Sequence, residues 1–142
     1  MDRKNTSRPS TTLKAAVLAA ALYVALAWSA GFIFGVVREL ALKPLIGPVW
    51  AQLAEAPVMA IVTWLAAGYV LRKLSPAPLA TGLLAAAVLI VIETVFALGI
   101  RGQSVSDYLA AFDMARGTVF PLLIIWFAIA PWVRAQYGSR RA

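Results

Sequence analysis

A 142-residue chain without cysteine or histidine must do any chemistry with carboxylates, hydroxyls and fixed cations. Disulfide frameworks, thiolate or imidazole metal sites and catalytic triads built on either residue are excluded. Two acidic residues stand inside long apolar runs, Glu55 and Glu93. An isolated charge at such a depth costs about 2.5 to 3.5 kcal/mol on insertion scales, so each needs a partner or a proton. Arg38 is the nearest candidate, because it precedes the turn at Pro44 by about as much as Glu55 follows it. Its planar fork of five donors could serve Glu55, Glu93 and the carbonyl of Leu53, which Pro57 leaves without its usual helical donor. Two chemistries follow from these three side chains. One is a protonatable or cation-binding site on an ion path. The other is a structural ion pair that fixes helix register.

The elements that carry these residues are set by composition. With 62% hydrophobic and 13% charged residues, against roughly 25% charged in soluble domains, the chain reads as an all-α polytopic membrane protein. Four runs are long enough to span at about 20 residues each, at about 15–37, 49–71, 79–100 and 117–133. Residues 1–14 and 134–142 read as basic cytoplasmic tails. Arg38, Glu39 and Lys43 close the first span; Pro44, Gly47 and Pro48 punctuate a hairpin turn, and Ser75 to Pro78 a second. The fourth span is the shortest, at about 25 Å of helix between Arg116 and Arg134. Before it, Ser104 followed three residues later by Asp107 makes a capping-box-like start to a short amphipathic helix, expected to rest in the interface as a strut and alternatively to act as a lid.

Basic residues set the orientation. Nine of the thirteen Lys and Arg fall on the side of the two termini, and four (Arg38, Lys43, Arg101, Arg116) on the other. Under the positive-inside rule both termini are cytoplasmic. Arg38, Glu55 and Glu93 then share the outer half. The net charge of +7 points to lipid headgroups and not to nucleic acid, since the basic residues mark span boundaries and tails without forming a continuous patch. Trp28, Trp50, Trp64, Trp126 and Trp132 read as belt or packing residues.

Small residues suggest how the spans meet. Ala27, Gly31, Gly35 and Arg38 form a stripe on the first span, and Gly82, Ala86, Glu93 and Ala97 share a face of the third; both are expected to be close-packing seams.

The run Gly31, Gly35, Arg38, Pro44, Gly47, Glu55, Pro57, Met59, written G-x3-G-x2-R-x5-P-x2-G-x7-E-x-P-x-M, resembles a family of small, uncharacterised four-helix bacterial inner-membrane proteins. The segment Gly102, Gln103, Ser104, Tyr108, Leu109 is similar to their last extramembrane loop. The resemblance implies a four-helix inner-membrane fold and carries no activity, cofactor or catalytic residue. Small multidrug transporters are also four-helix proteins, but their key glutamate lies in the first helix, where this chain has no internal acid.

The sequence therefore points first to a non-enzymatic structural or accessory membrane protein, in contact with the lipid bilayer and with a second copy or another membrane protein, without metal or cofactor. The competing expectation is a small ion- or proton-coupled transporter in which Glu55 or Glu93 changes protonation. A lipid-modifying enzyme would need a glutamate free of Arg38 and lacks a visible nucleophile and base.

Overall fold

The computed structural model describes residues 9–139, and no strand occurs among them. Residues 1–8 and 140–142, assigned to basic tails from the sequence, lie outside this range. Helix α1 (Pro9–Val37) passes through a π turn (Arg38–Leu42) into α2 (Lys43–Ile46). Helix α3 (Pro48–Leu74) returns, α4 (Pro78–Val95) runs back out and ends in a second π turn (Phe96–Ile100), the short α5 (Val105–Ala110) follows, and α6 (Phe120–Ser139) completes the bundle. Four of these stretches are long and apolar enough to cross a membrane: Leu13–Ile46, Pro48–Leu74, Pro78–Ile100 and Phe120–Gly138. Large apolar side chains such as Leu18, Ile61, Val91 and Ile125 are exposed on the outside of all four. In water that surface would aggregate; in lipid it is the solvated face.

The elements overrun the boundaries expected from hydropathy at several ends. The first helix continues past Arg38 through the π turn, which the Lys43 N–H closes by donating to the Arg38 carbonyl, and Pro44 comes next after Lys43. A wider turn gives the Pro44 ring room past the carbonyl four residues back. Gly47, at φ 81° and ψ 165°, makes the reversal, and Pro48 opens α3 at a position where its missing N–H costs nothing. The residues expected to form an N-terminal tail are already helical from Pro9. At the other end α6 runs through Pro131 and Arg134 to Ser139, where a basic tail is expected from residue 134. The fourth span is thus no shorter than the membrane requires. Arg134 stays on the helix with its guanidinium carbon 4.8 Å from the centre of the Trp64 ring, a cation–π seat that lets a charge remain at a span end.

The four long helices form a square. Helices α1 and α6 each pack against both α3 and α4, so α3 and α4 face each other across a diagonal. Packing is unequal along the bundle axis. The buried residues Ala19, Ala20, Tyr23 and Val24 of α1, Ala66, Ala67 and Val70 of α3, Ala85 and Ala86 of α4, and Phe127 of α6 make one core. All belong to the half that holds the chain termini. Small side chains let backbones approach there: a Cβ on Gly82 would overlap the carbonyl oxygen of Ala128. Tyr23 stacks on Phe127 with ring centres 4.2 Å apart and donates its hydroxyl to the Phe127 carbonyl at 3.1 Å. Beyond that pair, toward the other end, the helices leave space between them.

Candidate functional site

The space is a cavity of about 590 Å³ in the half of the bundle opposite the termini, within the range of roughly 300 to 1,000 Å³ common for small-molecule sites. Ala27, Thr63 and Phe127 lie at its inner end, and all four long helices contribute walls. Thr63 is tied back to its own helix through the Met59 and Ala60 carbonyls and accepts the Trp126 indole N–H at 3.1 Å. The inner end is therefore a hydrogen-bonded floor on the alanine-rich core.

Charge enters at the outer end. Arg38, at the start of the first π turn, donates to Glu55 at 2.7 Å and lies 3.4 Å from Glu39. Lys43 donates to Glu39 at 2.8 Å, one turn along. The similar distance of Arg38 and Glu55 from the hairpin turn brings them together as the sequence predicts. The Glu55 side chain is 10% exposed and that of Arg38 26%, so this pair is largely withdrawn from solvent.

The expected three-way cluster does not form. Glu93 lines the same cavity but joins none of the ion pairs among the described residues. The diagonal placement of α3 and α4 keeps Glu55 and Glu93 apart, and although α1 packs against both helices, the fork of Arg38 is turned toward α3 and its own neighbour Glu39. It is not free to bridge to α4, nor do its hydrogen bonds go to the Leu53 carbonyl. Helix α3 continues through Pro57. What surrounds Glu93 is the Trp28 indole and, at longer range, Arg101 and Arg38.

The small-residue stripe of the first span also has another role. Gly31 and Gly35 line the cavity; a Cβ on Gly35 would meet nothing within 4 Å, and one on Gly31 would just touch the Met59 methyl at 3.4 Å. These glycines widen the cavity instead of closing a seam. Close approach of backbones occurs on the third span at Gly82, one of the residues the sequence places on a packing face.

Residues missed in the sequence lie at the mouth. Glu39, read only as a boundary charge, and Arg101, Gln103 and Tyr108 of the outer connection all line the cavity. The Ser104 side chain caps α5 by accepting the Asp107 N–H at 3.1 Å, as its spacing predicts. The Tyr108 hydroxyl meets that of Thr94 at 2.7 Å, and Gln52 donates to Thr118 at 3.4 Å, so the connection is tied to α4 and α3. The signal for Tyr108 and Gln103 was their adjacency to the cap, which read as an interface feature. Of the tryptophans, Trp50 and Trp132 are exposed, while Trp64 stacks on Trp126 and Trp28 faces the cavity.

Comparison with family models, with curated proteins and with solved structures finds no match. Function must be read from the cavity.

Proposed function

We propose that this protein is a small solute-binding carrier, proton- or ion-coupled, with Glu93 as its exchangeable carboxylate. The observation that carries the reading is that Glu93 lines an open cavity outside the ion pairs among the described residues, while Arg38 is engaged by Glu55 and Glu39. A carboxylate held in an ion pair is committed to its arginine; one facing a cavity outside such a pair can trade a proton for a cation. The charged and titratable groups facing it are Arg38 and Glu39 from α1 and its π turn, Glu55 from α3, and Arg101 and Tyr108 from the outer connection. Helix α6 faces it with apolar side chains only. In this reading the cavity is the state open toward the loops, and the alanine-rich half is the closed gate. Both termini lie in the cytoplasm, as the basic residues indicate, and the bacterial inner membrane follows from the resemblance.

The test compares Glu93→Gln with Glu55→Gln in detergent and in proteoliposomes. Glu93→Gln abolishes a proton release that titrates in the wild type and leaves folding intact, whereas Glu55→Gln lowers the unfolding temperature. A wild-type protein without any such titration would favour the structural or accessory role. The Arg38–Glu55 lock is the observation behind that second reading.

A further inference from the structure

The coupling reading leaves the solute unnamed, and the surroundings of Glu93 narrow its chemistry. Three aromatic rings gather beside it. Trp28 and Phe32 of α1 have ring centres 5.8 Å apart, and Phe96, at the start of the second π turn, stands edge-on to both at 5.8 and 6.3 Å. The indole of Trp28 faces the Glu93 carboxylate. A carboxylate beside an aromatic cluster suits an organic cation, whose diffuse charge gains from ring quadrupoles without the dehydration cost of a small ion. Among the described residues no three acidic groups converge as a metal ion would need.

A cation already occupies the edge of this box. The Arg101 guanidinium carbon lies 5.6 Å from the centre of the Phe96 ring, and the same side chain donates to Gln103 at 2.9 Å. Arg101 also acts on Glu93 electrostatically. It thus holds the place over the Phe96 ring that a bound cation would take, anchored by Gln103.

We infer that the cavity binds a monovalent organic ammonium with an apolar body, its charged head between Glu93 and the Trp28, Phe32 and Phe96 rings in competition with Arg101. The body rests against Met59, Leu89 and Leu123 further in. The inference rests on the carrier reading for its transport consequence but stands on binding alone.

The experiment uses the full chain in a neutral detergent with benzyltrimethylammonium as probe, followed by calorimetry and by quenching of tryptophan fluorescence. Binding is expected for the cation, with the neutral carbon isostere neopentylbenzene at least about tenfold weaker. Glu93→Gln weakens the cation about tenfold, and Arg101→Gln, which removes the resident competitor, strengthens it several-fold. The opposite signs separate a site effect from poor folding, because a damaged protein does not bind better. Two results overturn the inference while leaving a solute cavity in place: equal binding of the neutral isostere, or binding of benzenesulfonate that Arg101→Gln abolishes. If no probe binds and Glu93 releases no proton, the carrier reading falls with it.

Discussion

At the scale of single residues, one arginine decides what two glutamates can do. Arg38 holds Glu55 at 2.7 Å with Glu39 close by on its other terminal nitrogen, and that geometry needs a planar fork. A double-mutant cycle of Arg38→Ala and Glu55→Ala, read by thermal unfolding in detergent, is expected to give a coupling of about 1 to 2 kcal/mol, the lower range for charge-assisted bonds because Arg38 is partly exposed. Arg38→Lys recovers less than half of it, since an ammonium cannot hold both carboxylates in the same way. Additive single mutants would show that the pair is incidental. The pairing was legible in the sequence because both residues lie about equally far from one turn, and a hairpin keeps such residues level. Which glutamate Arg38 takes was not legible: α1 packs against both α3 and α4, and the fork turns to Glu55 on α3, a choice made by the assembled side chains that no single segment encodes.

At the scale of helices, glycine acts in two opposite ways that spacing alone does not distinguish. Gly82 stands where α4 crosses the backbone of α6, and Gly35 borders open space. Gly82→Ala therefore forces two main chains apart and is expected to cost about 3 kcal/mol, the upper range for overpacking, because a carbonyl cannot rotate away as a side chain can. Gly35→Ala is expected to raise stability by about 0.5 to 1 kcal/mol through helix propensity while shrinking the cavity. Comparing the two unfolding midpoints checks both signs; equal losses would return Gly35 to a packing seam. A stripe of small residues tells that a helix has a shallow face, but whether a partner or a cavity fills that face is settled by the partner. The π turns and the extensions to Ile46 and Ser139 escaped the hydropathy pattern for a related reason. Backbone hydrogen bonding continues past the last apolar residue, so charge marks the membrane edge and not the helix end. Local chemistry was easier to read: the Ser104 cap rests on adjacent residues. Ser104→Ala is expected to speed amide exchange at Asp107 about fivefold, corresponding to roughly 1 kcal/mol of lost capping, with little effect on the long helices.

At the scale of the whole molecule, the bundle is asymmetric end to end: a dense alanine-rich half beside the termini, and a charged, aromatic half under the loops. If the basic residues orient the chain as proposed, the cavity opens to the outer face and takes its solute from there. The absence of cysteine makes this directly measurable, since each introduced thiol reports alone. Ser106 is exposed on α5, and Gly138 is exposed near the end of α6 with nothing within 4 Å of an added Cβ. In intact cells a membrane-impermeant maleimide is expected to label Ser106→Cys and to spare Gly138→Cys until the membrane is opened. The reverse pattern would turn the cavity toward the cytoplasm. It would leave the fold, the Arg38–Glu55 lock and the aromatic box unchanged, but the protein would then draw its cation from inside the cell. In the carrier reading, orientation decides which compartment the cavity faces, and the Glu93→Gln comparison decides whether that carboxylate takes part.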